Sequence, residues 1–451
     1  MSIFVYLIYL LFFIPIGISF AYFTNSFQAI SKVGALIEVV IAFLLMLAPF
    51  RTYSYFDVNQ VNRVLVISVT MVYLMAVFYA SKYHSELSGD TKLSLHYSLM
   101  HIFTFTMLFS LLINDFGLMW IGIEATTASS ALLLIIERER NQIEAAWRYM
   151  LIVSSGLTLA ILSIILIYMN YHTLTVTQAL NMGHTPSLLL SVAGVTALVG
   201  FGTKIGIFPM HTWLPDAHGE APSEISAMFS GILLPVAAYV LYRFYEATYS
   251  VQVTQIYIIF ILASLVFVAL VMPSQKNIKR MFAYSTMENM ALITLGLITG
   301  GLALVGALLI ILTHAFAKSS AFFSSGNILK LYGTKDMTKI DGLRDRMPLT
   351  SGTLIGSSLM VTGAPPFTIF VGELLIIYQL FVTGNIADVV IMVICLFIIS
   401  LSVMYKVSSM VFNGNDSVKH RLKLDLTQGI VTVTSLLFAF SIIFVYLGGY
   451  L

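Results

Sequence analysis

The chain has 451 residues, 59% of them hydrophobic and 10% charged, with a formal net charge of +2 and a mean hydropathy of +0.93. A soluble domain carries roughly 25% charged residues because its surface faces water, so a chain this apolar must be solvated by lipid. The near-neutral balance argues against a nucleic-acid surface, and the single cysteine, Cys395, excludes a disulfide framework, a thiolate-held iron–sulfur cluster and a zinc ribbon.

A helix crosses about 30 Å of hydrocarbon with roughly 20 apolar residues. Such runs start near positions 3, 29, 61, 95, 115, 144, 187, 222, 254, 278, 301, 350, 387 and 426. The first lacks the basic n-region and cleavage site of a signal peptide, so it reads as a span. The runs are about twice as long as barrel strands and do not alternate in polarity. The expected fold is therefore an all-α polytopic membrane protein with fourteen transmembrane helices. Its organisation reads as spans 1–3 over residues 1–94, spans 4–8 over 95–250, spans 9–13 over 251–415, and span 14 over 416–451.

The loops on the side of the termini hold three basic residues, Arg51, Arg63 and Arg243. The opposite loops hold eighteen, among them Arg138, Arg140, Arg148, Lys276, Lys279, Arg280, Lys330, Lys335, Lys419, Arg421 and Lys423. Positive residues stay inside, which places both termini outside the cytoplasmic membrane of a prokaryotic cell. Of the 23 basic residues only Lys204 and Lys318 remain, and both fall inside spans.

An ionisable group at bilayer depth costs roughly 2.5–3.5 kcal/mol on insertion scales. The expected intramembrane set is Glu38, Glu124, Lys204, Glu288, His314, Lys318 and Glu373, with His101 near them. Groups of this kind pass protons by taking and releasing them as their neighbours' charges change. For Glu38 and Glu288 the bland reading, a structural pair or a group near a helix end, is the stronger. For Glu124, Lys204, Lys318 and Glu373, deep in their spans, transport is. His314 and Lys318 are four apart and share a helix face.

Two spans look interrupted. Span 7 reads GFGTKIGIFP, with Gly202 and Pro209 beside Lys204, and span 12 reads TGAPPFTIFVGE, with Gly363, Pro365 and Pro366 before Glu373. Adjacent prolines remove backbone donors and break the helix. Irregular backbone at membrane depth survives only where it lines a cavity or is buried in protein. Two breaks five spans apart, each beside a charge, make the pattern of an inverted repeat, spans 4–8 against spans 9–13.

Other motifs fall away. Gly200, Gly202 and Gly206 lack the spacing and the preceding strand of a dinucleotide fingerprint. His211, His218 and Glu220 lack a sensible third ligand and read as a packed loop rather than a metal site. No nucleophile–base motif or phosphate cradle is visible, so neither a catalytic centre nor a cofactor is expected.

Several segments carry a resemblance: WIGIEATT at 120–127, EAAWRYMLI at 144–152, GFGTKIGIFPMHTWLPDAHGEAPSEISA at 200–227, IKRMFAYSTMENM at 278–290, HAFAKSSAFF at 314–323 and APPFTIFVGE at 364–373. On these the chain resembles the antiporter-like subunits shared by respiratory complex I, multisubunit Na⁺/H⁺ antiporters, and membrane-bound hydrogenase or formate hydrogenlyase complexes. EAAWRY and the twelfth span look most like the hydrogenase branch. Ending after its fourteenth span, without the lateral helix of the longest relatives, it looks like a shorter member.

The resemblance implies that Glu124 pairs with Lys204, that His314 and Lys318 form the relay of the eleventh span, and that Glu373 exchanges protons with the outer side. It implies partners too: the lipid bilayer, other membrane subunits of a complex I-like or hydrogenase-like assembly, and protons or Na⁺ as the moving ion. Relatives often carry a basic residue midway along span 8, where this chain has Pro235, so Ser230 or Tyr239 would assist there, with Glu288 and His101 as further accessory groups. Asn289 stands where many relatives have histidine. The rival readings are a stand-alone or Mrp-type cation/proton antiporter and a non-conducting structural membrane-arm subunit.

Overall fold

The computed structural model describes residues 3–53, 55–84, 91–136, 139–183, 187–414 and 426–447, with backbone alone for 426–428 and 441–447. Arg138, Lys419, Arg421 and Lys423, counted above among the basic loop residues, lie outside the described residues.

The chain begins with α1 (Ile3–Ser19) and α2 (Phe27–Leu45), followed by an antiparallel hairpin of β1 (Arg51–Tyr53) and β2 (Phe56–Val58) that sets Thr52 opposite Asp57. Next come α3 (Gln60–Tyr83), α4 (Thr91–Leu112), α5 (Phe116–Leu134), α6 (Arg140–Tyr171), the short α7 (Val176–Asn181) and α8 (Leu188–Ile205). Then follow α9 (Trp213–Glu220), α10 (Ser223–Met228), α11 (Leu234–Thr248), α12 (Val251–Val271), α13 (Ile278–Thr299) and α14 (Gly301–Tyr332). The chain continues through α15 (Leu343–Arg346), α16 (Pro348–Val361), α17 (Thr368–Val382), α18 (Ile386–Phe412) and α19 (Leu426–Leu447).

Among the described residues, 12 helices are long and apolar enough to cross a membrane. The two other expected spans fall on α16 with α17, which are separated by a break, and on α19, where Gly429–Phe440 forms a shorter apolar stretch. The fold is all-α, and the short hairpin belongs to the connection between α2 and α3. Its backbone groups lie outside any helix and pair across the strands instead.

Helix starts follow side-chain chemistry. Asp115 accepts from the backbone of Leu118 to begin α5, Ser187 from Leu190 to begin α8, and Asn277 from Lys279 and Arg280 to begin α13. Each satisfies donors that the first turn leaves open.

The chain divides into two compact units. The first comprises Met1–Val77, His84–Trp213 and Ile232–Phe260, and the second Phe78–Tyr83, Leu214–Gly231 and Ile261–Leu451. In the first, α6 and α8 cross at glycines: a Cβ on Gly200 would lie 2.6 Å from that of Ala160, and one on Gly156 would lie 2.5 Å from Thr203 Oγ1. In the second, α14 and α17 cross the same way. A Cβ on Gly306 would lie 2.5 Å from the Gly372 carbonyl, and one on Gly372 would lie 2.7 Å from that of Gly306. Small residues let helices approach closely in lipid, where dispersion rather than water exclusion drives association.

Candidate functional site

In the first unit the expected break is real, but it falls later than Gly202. That glycine lies inside α8, and the helix ends at Gly206, whose φ of 86° only glycine adopts readily. Gly202 supplies the carbonyl that caps this end, accepting from Gly206 and Ile207 at 2.9 Å each. Pro209 sits in the turn that follows. Lys204 is thus in the last turn of a half-helix, where the partial negative charge of unpaired carbonyls favours a cation by up to about 2 kcal/mol.

Lys204 is fully buried. Its Nζ donates to Thr127 Oγ1 at 2.8 Å and to the Tyr149 hydroxyl at 2.6 Å. Tyr149 is hydrogen-bonded in turn to Ser130 at 2.7 Å and packs on Trp213, whose indole N–H donates to the Thr203 carbonyl at 2.8 Å. Glu124, half-buried and one turn before Thr127 on α5, accepts from Ser154 Oγ at 2.6 Å, and its Oε2 has no partner. The expected Glu124–Lys204 pair is therefore not a contact pair. Each charge rests on hydroxyls while acting on the other electrostatically, because Thr127 fills the place on α5 that Lys204 reaches.

Two hydrogen bonds to the ammonium offset the cost of inserting it. Insertion costs roughly 2.5–3.5 kcal/mol, whereas each hydrogen bond to a charge contributes about 1.5–3 kcal/mol. The Glu124 carboxylate adds an electrostatic attraction that changes when its own charge or position changes. A neighbouring charge that moves can therefore tip the protonation of this group.

In the second unit the break lies where the sequence places it. Helix α16 ends at Val361, Gly363 takes φ 63°, Pro365 and Pro366 follow, and α17 starts at Thr368. Glu373 is buried in the second turn of α17, and its carboxyl reaches back to pack on Gly363. A carboxylate near a half-helix N-terminus is favoured by the same dipole that favours Lys204 at a C-terminus.

Lys318 and His314 are fully buried on α14. Lys318 Nζ donates to the Phe282 carbonyl at 3.0 Å, and His314 Nε2 meets the Ser230 carbonyl at 3.0 Å. That carbonyl is free because Phe229–Leu233 is a π-turn, and the residue five positions beyond Ser230 is Pro235, which has no N–H. Ser230 Oγ is also hydrogen-bonded to Thr286 Oγ1 at 2.5 Å. Glu288, buried on α13 with Oε2 unpartnered, acts electrostatically with both Lys318 and Glu373. Beside it, Asn289 donates to the Val361 carbonyl at 3.1 Å, which ties α13 to the rim of the break.

Three expectations change. Tyr239 belongs to a different cluster, accepting from Asn59 at 2.8 Å and Asn62 at 3.3 Å, next to Asp57 and Arg243. Arg243 is no loop residue: it is buried within α11, paired with Asp57 at 3.3 Å and Glu246 at 2.6 Å. His101 bonds Ser31 and Tyr73, away from the Lys204 group.

The sequence reading missed Thr127, Tyr149 and Ser154, for which a hydroxyl one turn from a buried charge was the available signal. It also set His218 aside. That histidine is fully buried between Phe229 and Phe322, both ring nitrogens lack hydrogen-bond partners among the described residues, and Lys318 acts on it electrostatically.

Residues 113–400 match the family model described as NADH:quinone oxidoreductase/Mrp antiporter, TM. A hydrogenase-4 component F homolog of Methylacidiphilum infernorum is 32% identical over 348 residues, 73% of each chain. NADH-quinone oxidoreductase subunit N of Desulforudis audaxviator is 34% identical over 251 residues, covering 52% of this chain and 49% of that one. A chain of the Mrp complex from Dietzia sp. superposes with a TM-score of 0.88 at 17% identity, covering 100% of this chain and 95% of that one, which establishes a shared fold. The protein is an antiporter-like integral membrane subunit and belongs to the NADH:quinone oxidoreductase/Mrp antiporter transmembrane family.

Proposed function

We propose that the chain translocates protons as one subunit of a multisubunit, redox-driven complex in the cytoplasmic membrane, with both termini outside. The observation that carries this reading is Lys204: fully buried at a helix break, held by two hydroxyls, with Glu124 one turn before Thr127 on α5 and out of contact with the ammonium. A structural ion pair closes on itself, because separating buried charges loses their attraction. A pair held apart on hydroxyls is instead poised to change its protonation when a neighbouring charge moves. In the second unit Lys318, His314, Glu288 and Glu373 supply further stations, and Ser230 orients His314.

The inverted repeat is part of the proposal, with residues 95–250 matched against 251–415. Three parallels support it. The long helices α6 and α14 have 32 residues each, each crosses the next, broken span at glycines, and each broken span carries a buried charge at a half-helix end. Proton rather than Na⁺ transport is favoured by the partners of Lys204 and Lys318. An ammonium takes up and releases a proton, while its own charge repels a metal cation from the oxygens that surround it.

The test is Glu124→Gln in membrane vesicles that contain the whole complex. The expected result is normal assembly and electron transfer with loss of the proton gradient. An undiminished gradient would refute the role.

A further inference from the structure

Outside these groups, the first unit holds a further buried polar cluster, on α2, α3 and α4. Glu38 is fully buried on α2, and neither carboxyl oxygen has a hydrogen-bond partner among the described residues. Tyr73, on α3, lies within electrostatic range of Glu38 and is hydrogen-bonded to His101 Nδ1. His101, on α4, uses its other ring nitrogen to bond Ser31 Oγ at 2.8 Å, back on α2. All four side chains are fully buried. Ser31 and Glu38 are seven residues apart, two turns along one helix face.

Burial is the dominant influence on Glu38. Tyr97 acts electrostatically on Tyr73, and the half-buried Lys32 follows Ser31 on α2. Helix α1, packed on α2 and α4, offers only Tyr6 and Tyr9. An ionised carboxylate left alone here would cost several kcal/mol, so Glu38 carries a proton or exchanges one. One water between Glu38 and Tyr73 would satisfy the carboxyl.

The imidazole is the switch in this chain. A neutral ring has one N–H and one bare nitrogen, so of its two hydroxyl partners one donates and the other accepts. Reversing both moves the proton across the ring without turning it.

We propose that Glu38, Tyr73, His101 and Ser31 form a proton-access site of their own, in which Glu38 binds a proton and exchanges it with the end of α2 at Phe27. Ser31 lies four residues from Phe27, about 6 Å along the helix. In the releasing step the Glu38 proton passes to the Tyr73 oxygen through one bridging water, since the carboxyl has no direct hydrogen-bond partner among the described residues. The Tyr73 proton passes to His101 Nδ1, the Nε2 proton passes to Ser31 Oγ, and the Ser31 proton leaves toward the helix end. Glu38 alone ends one proton poorer. The site lies outside the proposed repeats and does not depend on Lys204 or Lys318.

Infrared difference spectroscopy on the full-length chain in its membrane complex tests this. The carbonyl band of protonated Glu38 is assigned by its loss in Glu38→Gln, and its shift in D₂O times the exchange. Exchange is expected to slow about tenfold or more in Tyr73→Phe and His101→Phe with the band retained, a barrier increase of ~1.4 kcal/mol or more. Ser31→Ala removes one oxygen and keeps the packing, so it gives the same test where an aromatic variant does not assemble. Wild-type exchange rates in these variants, a band that never exchanges, or no band lost in Glu38→Gln would each overturn the proposal.

Discussion

Replacing Gly200 by alanine tests whether the α6–α8 crossing is what places Lys204. The added Cβ would lie 2.6 Å from the Ala160 Cβ and 2.9 Å from its backbone nitrogen. Carbon atoms rest at about 3.5–4.0 Å, so the helices must part by about 1 Å. Lys204 is one turn beyond Gly200 on the same face, and its 2.6 Å bond to Tyr149 on α6 would lengthen to about 3.6 Å, past the hydrogen-bond limit. Losing a bond to a charge removes about 1.5–3 kcal/mol, which corresponds to a roughly 10- to 100-fold fall in rate if the proton must pass through Lys204. The assay is proton uptake by inverted membrane vesicles, normalised to assembled complex on native gels. Gly202→Ala is the control, because the nearest atom to its added Cβ is the flexible end of Met210 at 3.4 Å. Wild-type uptake in an assembled Gly200→Ala complex would refute the reasoning.

Further outcomes follow from the same geometry. Tyr149→Phe and Thr127→Val each remove one of the two partners of Lys204, so each should slow vesicle proton uptake by about tenfold or more. Gly363→Ala puts a Cβ on the Glu373 carboxyl and forces a left-handed φ of 63° on a side chain. It should lower thermal stability by about 1–2 kcal/mol and impair uptake together, and a change in neither would contradict the packing of Glu373. Asp216→Asn breaks a partly exposed pair with Arg280 at 2.6 Å. Such pairs contribute about 0–1 kcal/mol, so assembly and uptake should hold.

Lys204, Lys318, Glu124 and Glu373 stood out in the sequence because a charge at bilayer depth is too costly to keep without a use. The proline pair fixed the second break just as firmly, since no helix runs through Pro365 and Pro366. The first break was harder to place. Gly200, Gly202 and Gly206 look alike in sequence, and only the left-handed φ at Gly206 separates the helix end from the crossing glycine at 200. The hydroxyls around Lys204 and Glu124 were hidden because Thr127, Tyr149 and Ser154 come from two helices, and their convergence depends on tertiary packing. Tyr239 misled for the same reason. Its place on span 8 pointed to a relay, while its hydroxyl is occupied by Asn59 and Asn62 from the segment after the hairpin.

The most direct measurement is the proton gradient formed by sealed vesicles whose complex carries Lys204→Met or Lys318→Met, compared with wild type at equal electron-transfer rates. The account predicts that each variant assembles, keeps its redox turnover and fails to acidify. A full gradient in both would contradict it.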